Sequence, residues 1–202
     1  MKRLLVVILC TVLSSLHVAA QKAYYRLIET PVENVPVKSR KSLLLIVSGP
    51  MSTRKYIQDL QYELKKDLDK KGVTCLLEYA GDDAARLTEK VNAAVKTHQP
   101  DCYLVIQPVA LQNMTTTPER EVRYVDPKTG NIVSYVKRVP ITEWTDQVME
   151  IHFYDNGPQN SKIWEARLQS RTNLAAEKIF RRIAADMLKS WKEKGIISTQ
   201  AS

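Results

Sequence analysis

The chain reads as an α/β (α+β) protein. It predicts a three-layer-like mixed sheet laid down as β-α-β-α-β, then antiparallel strands and a C-terminal helix. Three observations predict this. Between residues 42 and 109, short apolar runs alternate with two segments whose apolar residues recur every three or four positions. From residue 121 the pattern changes to apolar–polar alternation broken by turn residues. The last periodic segment, Ala175 to Lys194, returns to a helical stripe. The first pattern is that of parallel strands with crossover helices, the second that of antiparallel hairpins.

The elements follow in order. Met1-Lys2-Arg3, the apolar stretch Leu4 to Leu16 and the small residues Val18-Ala19-Ala20 have the layout of a secretory signal peptide. Cleavage is expected after Ala20, and the mature chain is expected in the periplasm of a bacterium or secreted from it. Cys10 follows Leu9 rather than a small residue, so lipid attachment there is not expected. No later apolar run approaches the ~20 residues that cross a bilayer. Residues 21–41, with Pro31 and Pro36, read as an extended lead-in that holds a short strand at Ala23–Ile28. A single domain is expected over 42–195, and a flexible tail over 196–202.

Ser42 to Val47 is a continuous apolar run closed by Gly49-Pro50, the look of a strand buried on both faces. A helix follows, with Ser52 as its expected cap and a stripe of Tyr56, Ile57, Leu60, Leu64 and Leu68. Lys65, Lys66, Lys70 and Lys71 suit the negative end of its dipole, and Gly72 stops it. The second strand is Val73 to Tyr79. Asp82 is the expected cap of the next helix, which carries Leu87, Val91, Ala94, Val95 and His98 on one side and ends at Pro100. Cys102 to Val109 is the third strand. Glu121–Val125 and Ile132–Val139 flank the turn sequence Asp126 to Asn131 and predict a hairpin. Thr142–Tyr154 and Ile163–Leu168 are two further strands. The closing helix has Ile179, Ile183, Met187, Leu188 and Trp191 on its apolar side. Trp144, Trp164 and Trp191 are expected to cover the core.

The two mature cysteines test the strand order. Right-handed crossovers are the default, and if the chain reverses direction across the sheet the first strand lies between the second and third. Cys75 and Cys102 are then two strand spacings apart, roughly 10 Å. A disulfide needs Cα atoms within about 7 Å. Buried free thiols are therefore expected.

The 202-residue chain has a formal net charge of +8. A modest basic balance suits solubility and also favours acidic envelope polymers. No basic block is present, so nucleic acid is not an expected partner. Histidine is scarce. His17 lies in the signal. His98 ends a helix, where it can stabilise the last carbonyls. His152 lies on the polar face of an alternating strand, beside Glu150 and Tyr154. The spacing of these histidines offers no metal site, no Gly-x-Ser-x-Gly elbow occurs, and no cofactor is expected. Asp146 and Glu150 share a strand face as ordinary charged residues. Asn113-Met114-Thr115 matches a eukaryotic glycan acceptor, a match without meaning behind a bacterial-style signal.

Two segments remain as candidate sites. Ser52, Thr53, Arg54 and Lys55 open the first helix after Gly49-Pro50, where backbone N–H groups, hydroxyls and cations could hold an anion. The segment lacks the ending of a nucleotide-binding loop. The hairpin arms carry Arg123, Tyr124, Lys137 and Arg138, which combine cations and an aromatic ring with strand backbone, as strand-addition partners do.

The segment Met149-Glu150-Ile151-His152-Phe153-Tyr154-Asp155, a turn, and Lys162-Ile163-Trp164-Glu165-Ala166 resembles a motif of small bacterial periplasmic envelope proteins. These include uncharacterised lipoproteins of a Bacteroidetes type. In topology they are related to the penicillin-binding-protein activator and TolB N-terminal folds. The resemblance implies partner binding in envelope assembly or maintenance, with an envelope protein or acidic glycan as partner, and implies no catalytic residues. This chain departs from it in lacking the lipid-acceptor cysteine. A non-enzymatic envelope binding module is the expectation. The alternatives are an envelope hydrolase assembled around His152 and a carrier of a small amphipathic ligand.

Overall fold

Strand β2 (Ser42–Ser48) has a parallel neighbour on each side, and the sheet is built outward from it. A computed structural model describes residues 24–32, 38–116, 119–138, 141–172 and 177–197. The remaining elements are β1 (Tyr24–Thr30), α1 (Met51–Asp69), β3 (Thr74–Gly81), α2 (Leu87–His98), β4 (Cys102–Thr116), β5 (Glu119–Val125), β6 (Ile132–Arg138), β7 (Ile141–Asp155), β8 (Lys162–Thr172) and α3 (Glu177–Glu193). Six strands form one mixed sheet in the order β1-β8-β7-β4-β2-β3, and β5 and β6 form a separate two-stranded sheet. The α/β class and the order of elements are as the sequence predicts. No described helix is long and apolar enough to cross a membrane. The signal-peptide residues lie outside the described chain.

Every apolar side chain of β2 is buried, because helices cover both of its faces. Leu43, Leu45 and Val47 face α1 and α3, together with Ile57, Leu60, Leu64, Ile183, Met187 and Trp191. Leu44 and Ile46 face α2 through Val91 and Ala94. Trp191 meets Phe153 and Trp164 edge-to-face, at ring separations of 5.0 and 5.8 Å. The Trp164 indole N–H donates to Ser190 Oγ at 3.1 Å, which satisfies a polar atom in this layer.

Local chemistry explains the boundaries. α1 begins one residue before Ser52. Pro50, with φ of −66°, is its N-cap and supplies no side-chain cap. The expected cap Ser52 therefore lies inside the first turn. The chain leaves α1 through Gly72 at φ +72°, a conformation that costs glycine little. Asp83, rather than Asp82, accepts from Ala85 N–H at 3.0 Å and starts a 3-10 turn ahead of α2. His98 reaches Glu78 Oε2 at 3.3 Å instead of capping its own helix.

Three boundaries differ from the sequence reading. The lead-in contributes the edge strand β1, antiparallel to β8, with Tyr25 OH donating to Asp186 of α3 at 2.7 Å. The third strand runs to Thr116, because its second half pairs with β7. Ile196 and Ile197, read as the start of a tail, are 0 % and 2 % exposed. The turn after α3 folds back, with Ile196 N–H donating to Trp191 O at 2.8 Å.

A buried charge ties these ends together. Arg40 has a fully buried side chain. Its Nε donates to Asp155 Oδ1 at 3.0 Å and its Nη1 to the Ile196 carbonyl at 2.5 Å. Lys38 Nζ adds a second contact to Asp155 at 2.8 Å. Arg40→Met should lower unfolding free energy by less than the ~3–5 kcal/mol of a fully stranded buried charge, because Lys38 still pairs with Asp155. Urea unfolding of Arg40→Met beside Arg40→Met/Asp155→Leu checks this, and the double variant should recover part of the loss.

The cysteine argument can be read directly from the register. Leu43 is the Cα partner of Cys75 on one side and of Cys102 on the other. Both thiols are free and buried, and burial pushes each up to about 12. A thiol held protonated and covered is a poor nucleophile. Titration with a thiol reagent should find neither group accessible in the native protein and both after denaturation without reductant.

Candidate functional site

Two surfaces stand out: the part of the main sheet that the described helices leave uncovered, and the separate β5–β6 arm. α2 lies over β3, β2 and the start of β4. The same face of β7, β8 and β1 is not covered by a described helix. Strand alternation puts His152, Glu150 and Asp146 of β7 there, with Glu165, Arg167, Gln169 and Arg171 of β8 and Tyr24 and Arg26 of β1. Arg171 grips Asp146 through two bonds of 2.6 Å and lies over the Tyr24 ring at 5.7 Å. Arg167 reaches Glu150 at 3.9 Å. Opposite charges thus meet across strands, an arrangement that favours pairing of the sheet.

His152 lies at the other end of this face. Its Nε2 is 3.9 Å from Glu165 Oε1, and Lys162 pairs with the same carboxylate. The lysine holds Glu165 below the usual carboxylate range. Glu165 is thus shared between two cations rather than committed to the imidazole as an orienting partner. A shallow groove of about 610 Å³ lies farther along the sheet, lined by Tyr24, Ala110, Gln112, Asp146, Val148 and Gln169 among others, and His152 is not part of its lining. Among the described residues no group of three or more His, Cys, Asp or Glu side chains is placed to hold a metal ion.

The expected anion site is assembled as a helix start, but its two cations are committed elsewhere. Arg54 stacks on the Tyr79 ring at 5.0 Å. Lys55 pairs with Asp59 at 2.7 Å along the helix. Thr53 is fully buried. Gly49, ahead of the helix, sits so close to Pro108 that a Cβ there would lie 2.6 Å from the proline ring. Its φ of +111° also requires glycine. Pro108 therefore fills the space directly beside Gly49, at the end of β2. Tyr79 OH donates to the Gly49 carbonyl at 2.7 Å and further braces the loop.

The second surface is the arm formed by β5 and β6. Its turn closes as the Asp126–Asn131 sequence predicts. Asp126 N–H donates to Asn131 O at 2.9 Å and Gly130 N–H to Asp126 O at 2.8 Å. Asp126 Oδ1 accepts from Lys128 N–H at 2.8 Å. The arm leaves the main sheet between the long strands β4 and β7, which pair with each other to Thr116 and Ile141. Every residue of β6 is exposed.

The register sorts the four expected contact residues onto two faces. One face carries Tyr124, Val122, Val133, Tyr135 and Lys137, and the two tyrosine rings meet edge-to-face at 6.1 Å. The other carries Arg123, Val125, Ile132, Val136 and Arg138. Arg123 binds Glu121 at 3.0 and 3.1 Å, and this pairing together with Ser134 holds the Glu121 carboxyl below the usual range. Arg138 binds Glu119 across the strands at 2.7 Å. Arg123 and Arg138 are thus paired within the arm, whereas Tyr124 and Lys137 share the aromatic face. The sequence reading did not single out Val125, Ile132, Tyr135 and Val136. These are 61 %, 73 %, 48 % and 63 % exposed, and alternation alone left open whether either face of the hairpin is covered.

No family model matches the chain, and no curated protein matches it. Among solved structures it is similar to a PelC dodecamer from Paraburkholderia phytofirmans, at 10% identity and a TM-score of 0.40, covering 82% of this chain and 96% of that one. It is also similar to a neuraminyllactose-binding hemagglutinin homolog from Helicobacter pylori, at 12% identity and a TM-score of 0.32, covering 82% and 88%. A PDZ domain protein from Parabacteroides distasonis matches at 10% identity and a TM-score of 0.34, with 84% of this chain on 36% of that one. These are distant likenesses of a small α/β fold, and no residue role is carried over from them.

Because the arm is its own sheet, its loss should leave the domain intact. Replacing residues 124–133 by an Asn-Gly turn should leave the melting temperature within about 2 °C of the parent, the scale of a surface change below 0.5 kcal/mol. Differential scanning calorimetry of the two proteins checks this.

Proposed function

We propose that the protein is an exported, non-enzymatic binding module of the bacterial cell envelope, and that the β5–β6 arm is its partner-contact element. The observation that supports this reading is the exposure of Tyr124, Val125, Ile132, Val133, Tyr135 and Val136 on a two-stranded arm outside the core. Exposed apolar side chains on both faces of an arm carry an aggregation risk unless a partner uses them. Tyrosine offers a large contact area and a polar tip at low entropic cost, and it is enriched in binding surfaces. Among the described residues the outer edges of β5 and β6 have no strand partner, and their charges restrict strand addition to a partner of complementary charge. The partner is an envelope protein that supplies an apolar surface or an extended strand. An acidic glycan is less suited, because Arg123 and Arg138 are already paired within the arm.

A photo-crosslinking residue placed at Tyr135 in the native host tests this. It should yield a discrete adduct with an envelope protein. The same residue at Tyr62, which is 61 % exposed on α1, should not. No adduct from Tyr135, or the same adducts from both sites, would reject the arm as the contact element.

A further inference from the structure

Strand β4 carries a long uncharged edge. Its first half is covered, since β2 pairs with it from Leu43↔Cys102 to Val47↔Ile106. Beyond Ile106, β7 lies on one side, and among the described residues no strand lies on the other. The free edge therefore runs from Gln107 to Thr116. From Cys102 to Pro118 the chain holds no charged residue. Every other free strand edge among the described residues carries charge. β1 carries Arg26 and Glu29, β3 carries Glu78, β5 carries Glu119 and Arg123, and β6 carries Lys137 and Arg138. Proteins ordinarily blunt exposed edges with charge, proline or bulges; Pro108 and the bulges at Val109 and between Met114 and Thr115 interrupt this edge, and the regular stretch Ala110–Met114 between them carries no charge. Here the longest free edge is the one without charge. Apolar surface lies beside it. Val109 is 48 % exposed, and Met51, two residues after the Gly49 that touches Pro108, is 65 % exposed.

We propose that this edge pairs antiparallel with the same edge of a second copy of the chain. A two-fold axis normal to the sheet brings Gln112, at the middle of the Ala110–Met114 stretch between the bulges, opposite Gln112 of the other copy. Like charges directly opposite each other destabilise a strand pair. A self-facing strand in a chain of net charge +8 must therefore be neutral, and this one is. A strand built for a foreign partner has no such restriction and could carry charge for steering and specificity. The lower limit of the pairing is the end of β2 at Ser48. Its upper limit is the end of the β4–β7 ladder, since the arm forms a separate sheet. The two β4 strands then join the sheets of the two copies into one, and the axis directs the two arms to opposite ends. The inference is independent of the function proposed for the arm.

Sedimentation and light scattering of the mature protein test the proposal, with Gln112→Lys, Gln112→Glu and the arm-replaced variant beside the parent. The parent should have about twice the monomer mass. Each Gln112 variant should fold, by circular dichroism and melting temperature, and run as a monomer, because like charges then meet on the axis. Mixing the Lys and Glu variants should restore the dimer as a heterodimer. The arm-replaced variant should remain dimeric. A monomeric parent would overturn the proposal, as would dimers of both charged variants, a mixture that stays monomeric, or loss of the dimer with the arm.

Discussion

The buried Arg40–Asp155 pair is the constraint on which the remaining structure closes. It lies where three distant parts of the chain meet: the segment entering β2, the end of β7 and the turn after α3. Burying a guanidinium costs several kcal/mol unless its donors are satisfied. Here a carboxylate and a main-chain carbonyl satisfy them, and Lys38 supplements the carboxylate. Next to it, Asp101 accepts from Lys41 and Ser42 N–H at 2.7 and 3.0 Å, while Ser42 Oγ accepts from Asp101 N–H at 2.8 Å. These bonds hold Asp101 below the usual carboxylate range despite its partial burial. Together the two acids set the height at which β2 enters the sheet, and hence the rows Leu43, Leu45 and Val47 on one face and Leu44 and Ile46 on the other.

From that row the sheet divides into two kinds of surface. The parallel part, β3-β2-β4, has helices on both faces and carries continuous apolar runs. The antiparallel part, β7-β8-β1, has α1 and α3 on one face only, so its strands alternate. Met149, Ile151 and Phe153 point inward, and Glu150 and His152 lie on the opposite face. β4 belongs to both regimes. Its first half is a buried central strand, and its second half is an open edge that leads into the arm. The surfaces available for binding therefore lie where β4 and β7 outrun their neighbours, not at the switch point beside Gly49, where Pro108 packs into the turn.

Much of the fold was legible in particular residues. The run Ser42–Val47, the stop at Gly72 and the turn at Asp126–Asn131 each have a local cause that acts regardless of context. The order β3-β2-β4 was expected only on the supposition that the chain reverses across the sheet, and the separation of Cys75 and Cys102 followed from the order. What escaped had no local signature. The second half of β4 does not alternate, because Val109 sits at a bulge in the β4–β7 register. Strand β1 was expected as a short strand over Ala23–Ile28, but its place at the sheet edge depends on β8. Ile196 and Ile197 looked like the start of a frayed end, because an apolar pair after a glycine does not announce where it folds back.

The candidate surfaces divide in the same way. That residues 119–138 form a hairpin was written in its turn chemistry and its alternating arms. That the hairpin stands clear of the core, with Tyr124 and Lys137 on one face and Arg123 and Arg138 paired to glutamates on the other, was decided by the tertiary structure. By itself the sequence determined the class, the helices and the central strand, because periodicity and capping act over a few residues. Only the tertiary structure decided which edges stay open, which charges are spent on each other and which ends of the chain are clasped by Arg40. The Arg40 clasp joins residues more than a hundred positions apart, and the open edges and paired charges depend on which strands come to lie side by side, so no local pattern records them.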